Sequence, residues 1–549
     1  MNLQRASLIT LLFVVICKCV SAQVVNVKDD PVIKANIGKI LFTDKPAQIN
    51  ELNKYESLQR YRLTNKSNLF ITVFLGNTMT GYLRQLAPPE LDSNSLVKMG
   101  NYQFSFYIDE KLIYQTNLLP GAPPPNLQNT VTVWSKPLID NQHEGAWWSQ
   151  SAWNRFMLNR GDQALTEGKH TLKIQLRPYL KATGLIVGDL IASGQLNLEV
   201  NRKPLVDLNK IKLAPVKSYD GFPISKETFD HYRIKRLKAN IEAGVFKHIT
   251  SVIVIKNGKL LVEEYFNGAT RDSLHDVRSV GKSFASTLTG IAIKDGLLKS
   301  EDQTLSEFYD LKAYDHYSIK KANISLKELL TMSSDFDGDD DNGDSPGNEE
   351  NMYPTDNWVK FALDLPVDSI KYKGQWHYFT AGAMLLGSTL DKLVPGGLER
   401  YADTKLFKPL NITHYQWQYT PQKVINTSGG IQMNALDFAK YGQLYQNNGL
   451  WKGTQILTKQ WIDKTLTKQI AVTGRTEEYY GYLFWNKKYK VGNRLYETFY
   501  CAGNGGNKIF IFKDQPLVIV ITATAFGTAY AHPQVDKMME EYILPSVIK

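Results

Sequence analysis

Residues 275–286 read His-Asp-Val-Arg-Ser-Val-Gly-Lys-Ser-Phe-Ala-Ser, and the pair Ser279 and Lys282 at the head of an apolar run decides how the chain is read. A serine hydroxyl is a poor nucleophile until a neighbouring group takes its proton. On a helix, a spacing of three stacks the two side chains one turn apart on one face, where an amine reaches the hydroxyl. The same helix start offers backbone N–H groups and the positive end of a dipole to a developing oxyanion. One short segment therefore supplies a nucleophile, a base and part of an oxyanion hole.

The Ser-x-x-Lys spacing also occurs at Ser95–Lys98, Ser318–Lys321 and Ser546–Lys549, where a solvated surface pair is expected. Context separates the Ser279 copy. Before it, Thr250–Ile255 and Lys259–Phe266 alternate like strands around Asn257-Gly258, a strong hairpin-turn signal. After it, Val280, Phe284, Leu288 and Ile291 recur at helical spacing, predicting an amphipathic helix. Small Gly281, Ala285 and Gly290 allow close packing, and Gly296 supplies a stop.

Four further segments follow in order: Ser325-x-x-Glu328-Leu-Leu-Thr-Met-Ser-Ser334, Gly374-Gln-Trp-His-Tyr378-Phe-Thr380-Ala-Gly382, Ser428-Gly-Gly430 with Asp437, and Gly503-Asn-Gly-Gly-Asn507. Together with Ser279 and Lys282 they resemble the serine β-lactamase and penicillin-binding-protein superfamily. The resemblance is greatest to its class C, esterase and 6-aminohexanoate-dimer-hydrolase branch. It covers roughly residues 215–549. It implies an α+β fold with an antiparallel sheet and a helical subdomain. It also implies a catalytic set of Ser279, Lys282 and Tyr378, and an oxyanion hole from the N–H groups of Ser279 and Asn504. Thr380, Gly503 and Gly505 then fall at substrate-binding positions.

Two positions depart from that pattern. Thr380 stands where an asparagine is expected, so a hydroxyl replaces an amide fork. Cys501-Ala502-Gly503 stands where penicillin-recognising relatives carry Lys-Thr-Gly, so the cation and hydroxyl for a drug carboxylate are missing. Ester or amide hydrolysis is still expected, because the oxyanion hole is built from backbone. Literal Tyr-x-Asn triplets at Tyr265 and Tyr445 sit in the wrong context.

The chain has 549 residues, enough for two folded units, and 43% hydrophobic residues, enough for sizeable cores. Residues 1–22 read as a secretory signal peptide, with Arg5, the apolar Leu8–Ile16 and a Val20-Ser21-Ala22 cleavage site. A secreted or periplasmic protein is expected. A lipoprotein anchored through Cys17 or Cys19 is the rival. No transmembrane segment is expected, since no later apolar run reaches about 18 residues. Removal of Arg5 and Lys18 takes the net charge from +10 to +8, and only Cys501 of three cysteines remains. Basic residues are scattered, so no nucleic-acid partner is expected.

Residues 23–205 are expected to form an all-β sandwich from short runs such as Phe70–Leu75, Tyr102–Ile108, Thr130–Trp134, His170–Leu176 and Gln195–Val200. Trp147, Trp148, Trp153 and Phe156 are expected to be packing residues rather than a sugar platform. Residues 206–223 read as a linker, and 224–549 as the hydrolase domain. The stretch Asp335–Asp344 reads as a solvated acidic loop. It lacks the glycine and glutamate of a calcium loop, and no metal or other cofactor is expected. His275 and Arg278 are expected to shape the site.

The resulting expectation is an exported serine hydrolase acting on a small-molecule or peptide-like ester or amide. A peptidoglycan peptidase or β-lactamase is one alternative. An inactive scaffold whose β-sandwich binds ligand is another. Export has a direct check. Mass spectrometry of protein produced with its leader should find a mature N-terminus at Gln23, and an intact N-terminus or a lipid on Cys17 or Cys19 would contradict it.

Overall fold

The computed structural model describes residues 30–54, 56–118, 125–140, 148–202 and 206–548. The expected signal peptide, Trp147 and Lys549 lie outside the described residues. The chain divides into two compact units, Met1–Asn201 and Arg202–Lys549.

In the first unit, strands Ile40–Thr43, Leu69–Phe74 and Val133–Ile139 form one antiparallel sheet, with Leu69–Phe74 central. A second sheet runs Arg60–Leu63, Ala192–Val200, Gly168–Lys181, Gly100–Ile108, Lys111–Asn117, with one parallel pair between its first two strands. Phe42, Ile71 and Val73 of the first sheet share one core with Phe104, Phe106, Leu172 and Ile174 of the second. The unit is not all-β. Helices Met79–Leu86, Ser93–Met99 and Trp148–Phe156 accompany the sheets. Thr78 and Asp92 cap the first two by accepting backbone N–H bonds. Trp153 and Phe156 are core, with Phe156 stacked on Phe106 at 4.8 Å. The strand expected at Thr130–Trp134 runs instead over Val133–Ile139. It tolerates Pro137 because it lies at the edge of its sheet.

The second unit is built on an eight-stranded antiparallel sheet. Its order is Lys259–Tyr265, Ile249–Lys256, Leu517–Ala523, Asn507–Phe512, Arg494–Gly503, Trp485–Val491, Tyr479–Tyr480, Ile470–Ala471. The hairpin turn is made by Asn257 and Gly258, both with positive φ (51° and 67°), matching the right-handed strand twist. Apolar side chains leave both faces of the central strands. One face joins His231–Glu242 and Ala531–Met538 through Val252, Ile519 and Phe510. The other joins the helical region through Ile253, Val520 and Ile509.

The helix after Ser279 spans Val280–Lys294 and is buried at every position from Val280 to Ala292, so it is central rather than amphipathic. Its glycines explain the close packing. A Cβ at Gly281 would lie 3.0 Å from the Gly429 backbone, and one at Gly290 would overlap the Trp461 ring. Gly296 (φ 75°) follows its last turn. Ser325 and Glu328 close a capping box on Leu326–Leu330. The Ser318–Lys321 pair is not a solvated surface pair. Ser318 caps a short helix, and the buried Lys321 ammonium donates to the Asp315 and Leu363 carbonyls. Among the described residues no helix is long and apolar enough to cross a membrane.

Asp437, in the first turn of helix Ala435–Gln446, makes a buried ion pair with Lys440 at 2.9 Å. It also accepts from the Tyr219 hydroxyl (3.0 Å) and the Asn434 amide (2.8 Å), tying the segment before the sheet to this helix. Removing one partner strands a buried charge, which costs about 3–5 kcal/mol. Asp437→Ala should therefore lower the urea unfolding free energy of the protein by about that amount. A loss below about 1 kcal/mol, the range of an exposed pair, would contradict this reading.

Candidate active site

The turn that carries Ser279 is formed by a short strand, His275–Asp276, that pairs with Ile431–Met433 and breaks at Arg278. Arg278 has φ 51°, a left-handed backbone that costs a non-glycine residue about 1–2 kcal/mol. The Asp276 carboxylate offsets this by accepting the Arg278 N–H (3.1 Å) and pairing with its guanidinium (3.3 Å), which also lies 4.6 Å from the Phe526 ring. His275 is buried, its Nδ1 3.3 Å from the Thr250 hydroxyl. Burial pushes its pKa down to about 4, so the imidazole is neutral. The Arg278 contacts hold the turn before Ser279, and His275 is buried behind it.

Ser279 follows directly, at the N-cap position of the buried helix but with no side-chain capping bond. One turn on, Lys282 is 2% exposed, and its Nζ donates to Ser279 Oγ at 2.8 Å and to the Ser428 carbonyl at 2.7 Å. Ser428 is itself held by Asn426, whose Oδ1 accepts from its N–H and its hydroxyl. Among the described residues no carboxylate forms an ion pair with Lys282. The Tyr378 ring centroid lies 5.1 Å from the ammonium, and the ring stacks on Trp485 at 5.9 Å with Trp376 at 6.1 Å. Its hydroxyl has no hydrogen-bond partner among the described residues. Thr380, two residues later, is fully buried as the first residue of helix Thr380–Leu393.

Gly503 ends its strand against the turn that carries Ser279. A Cβ there would meet the Val277 carbonyl at 1.9 Å and the Ser279 nitrogen at 3.1 Å, so only glycine fits. Beyond it, the turn Asn504-Gly505-Gly506 is pinned from two sides. Gly527 N–H donates to Asn504 Oδ1 at 2.8 Å, and buried Asn507 donates to the Asn504 carbonyl at 2.8 Å. Gly505 (φ 89°) has no room for a side chain beside Phe526. Cys501 is buried, and burial pushes its thiol up to about 12, which keeps it from acting as a nucleophile.

The structure thus brings Ser279, Lys282, Tyr378 and Gly503 together, sets Asn504 and Gly505 at the adjoining turn, and buries Thr380 beside them. The two Tyr-x-Asn tyrosines lie elsewhere. Tyr445 donates or accepts with Thr287 in the core, and Tyr265 bonds to Glu263.

The acidic stretch differs from a solvated loop. Asp335 is 3% exposed, accepts the Gly374 N–H and pairs with Lys320. Asp337 pairs with Lys371 and accepts from Tyr372. Asp340 is half-buried, and its two oxygens accept the N–H groups of Glu349 (2.8 Å) and Thr380 (2.7 Å). Backbone donors on neighbouring segments, invisible in the spacing of the aspartates, draw these carboxylates apart. Among the described residues no three potential ligands converge on a metal position. Asp340 is the residue around the site that the motifs did not single out.

The beta-lactamase family model matches residues 237–540, more than half of the chain, and the protein belongs to that family. A curated relative, 6-aminohexanoate-dimer hydrolase of Paenarthrobacter ureafaciens, is 20% identical over 224 residues, 39% of this chain. The match spans 56% of that relative's length. Among solved structures, the octameric penicillin-binding protein homologue from Pyrococcus abyssi is 17% identical, with a TM-score of 0.44 over 58% of this chain and 80% of its own. The D-stereospecific amidohydrolase from Streptomyces sp. is 15% identical, with a TM-score of 0.43 over 57% and 98%.

The Gly503 contact makes a sharp test. In Gly503→Ala the new methyl must displace the Val277 carbonyl and with it the Ser279 turn. Turnover of the best substrate should fall by about 10²–10³-fold, the range for loss of an oxyanion donor. Wild-type turnover in this variant would show that the strand end and the turn that carries Ser279 are not coupled.

Proposed function

We propose that this protein is a serine hydrolase that cleaves an ester or amide through an acyl-enzyme on Ser279. The observation that supports it is the buried Lys282 amine, 2.8 Å from Ser279 Oγ and oriented by the Ser428 carbonyl. Lys282 takes the hydroxyl proton as Oγ bonds to the acyl carbon. The oxyanion takes hydrogen bonds from the Ser279 and Asn504 N–H groups. Tyr378 relays that proton from Lys282 to the leaving oxygen or nitrogen as that bond breaks. Water then attacks the acyl-enzyme, gives its proton to the same pair, and releases a carboxylic acid and free Ser279.

Gly503 and Gly505 line the substrate's carbonyl end in this reading, with Thr380 behind Tyr378. Cys501 and Ala502 provide neither cation nor hydroxyl, which favours a plain ester or amide over a β-lactam or a peptidoglycan stem. An amide is the bond named for the Streptomyces structure, an amidohydrolase. We place the enzyme outside the cytoplasm on the pattern of residues 1–22. We read residues 23–205 as a sandwich-based unit joined through 206–223 to the hydrolase unit 224–549.

Residues that act as one unit in covalent catalysis are non-additive. On the best p-nitrophenyl ester, Ser279→Ala and Lys282→Ala should each remove most activity, and the double variant should be little worse than either. Tyr378→Phe keeps the ring on Trp485 and deletes only the hydroxyl. It should lower kcat by about 10²–10⁴-fold, the range for a general acid–base group. Full activity in Ser279→Ala would overturn the proposal, and full activity in Tyr378→Phe would move the proton relay to another group.

A further inference from the structure

Tyr378 is held in place by more than its aromatic neighbours, and the other hold comes from the acidic stretch. Asp340 donates its own N–H to the Tyr378 carbonyl at 2.8 Å. Its Oδ2 accepts the Thr380 N–H at 2.7 Å, and Oδ1 accepts the Glu349 N–H at 2.8 Å. The Asn348 amide donates to the Asp340 carbonyl at 3.1 Å, fixing the residue from its other side. Asp340 therefore grips the chain on both sides of Phe379, at the point where it turns into helix Thr380–Leu393. An aspartate accepting at a helix N-terminus is favourable. A half-buried carboxylate with no ion-pair partner among the described residues is costly, so a neutral capping residue would serve the fold alone at least as well.

We propose that Asp340 is a positioning residue of the acyl-transfer site: its two-sided grip on residues 378–380 sets Tyr378 against Lys282. The proposal rests on the Ser279, Lys282 and Tyr378 reading above. The groups that face Asp340 are Lys282 from the serine helix, Thr380 from the helix it caps, and Glu349 and Tyr353 from the short helix Glu349–Met352 and its end. Burial pushes the Asp340 carboxyl up to about 6, and Glu349 adds to the rise, while Thr380 and Lys282 oppose it. Below that pH the protonated carboxyl loses its charge, and its bond to the Thr380 N–H weakens. Turnover should therefore fall as pH drops through about 6, in kcat more than in KM.

The sign for stability runs the other way. A carboxyl whose folded pKa is raised above its unfolded value is a stability cost above about pH 6, and the cost is absent below the unfolded pKa. At pH 7.5 Asp340→Asn removes that charge cost but leaves one backbone N–H without an acceptor, so its melting temperature should change little while kcat falls. A role confined to holding the fold would do the reverse.

The test uses the full chain and p-nitrophenyl ester kinetics between pH 5 and 8, with Ser279→Ala assayed alongside. Asp340→Asn can accept only one of the two N–H groups through a single oxygen. It should lose about 10–100-fold in kcat, the scale of a misplaced catalytic group, with KM within about threefold, and the limb near pH 6 should disappear. Thr380→Pro reaches the same contact from the other side. Proline is well suited to the first position of a helix, and Phe379 before it is already extended (φ −135°, ψ 92°). That variant removes the donor to Oδ2, should reproduce the kcat loss, and should add little to Asp340→Asn in the double variant. An inactive Ser279→Ala beside an Asp340→Asn with wild-type kcat and pH profile would overturn this inference alone. Additive losses in the double variant would do so too. An active Ser279→Ala would bring down the underlying reading and this one with it.

Discussion

Lys282 carries a side-chain nitrogen into the interior of the second unit, where it meets one hydroxyl, one main-chain carbonyl and one aromatic face. Taking a charge out of water without a counter-ion costs several kcal/mol, and packing alone would favour a hydrocarbon at this position. The local structure accommodates that nitrogen through separate parts of the chain. The serine helix brings Ser279 over it, the Ser428 turn presents a carbonyl beneath it, and residues 376–380 lay an aromatic wall beside it. Each part depends on a different long-range contact, so the arrangement exists only in the folded unit.

Main-chain proximity is the second constraint. Gly281 and Gly429 let the serine helix and the Ser428 turn touch backbone to backbone, which brings the Ser428 carbonyl within reach of Lys282. Gly503 lets the strand end close on the Val277 carbonyl and the Ser279 nitrogen. The same closeness limits how the site varies. Side chains at 501 and 502 can change without touching the main-chain donors, whereas residues 281, 429 and 503 cannot acquire a Cβ without moving them.

Much of this was legible in the residues. Asn257-Gly258 specified the hairpin, Gly296 the helix end, and Ser325 with Glu328 the capping box, because each is a local rule with few exceptions. The order of motifs placed Ser279, Lys282, Tyr378 and Gly503 in one unit before any distance was known. What escaped was decided by distant partners. The serine helix looked amphipathic because Lys282, Ser283, Ser286 and Thr287 are polar, yet all four are buried, with Ser283 and Thr287 donating to carbonyls and Lys282 facing Ser279. The aspartates of 335–344 looked solvated because nothing in their spacing reveals the N–H groups of Gly374, Glu349 and Thr380. Helices Met79–Leu86, Ser93–Met99 and Trp148–Phe156 are only seven to nine residues long, too short for periodicity to outweigh the surrounding strands, although Thr78 and Asp92 stood at the starts of the first two. Pro137 hid a strand that is tolerated only at an edge.

The measurement that bears most directly on Ser279 as a nucleophile driven by Lys282 is the rate and position of fluorophosphonate labelling, followed by peptide mapping. The expected result is a single adduct on the peptide carrying Ser279, forming far more slowly in Lys282→Ala. No adduct, an adduct on another serine, or a Ser279 adduct that forms equally fast without Lys282 would contradict it.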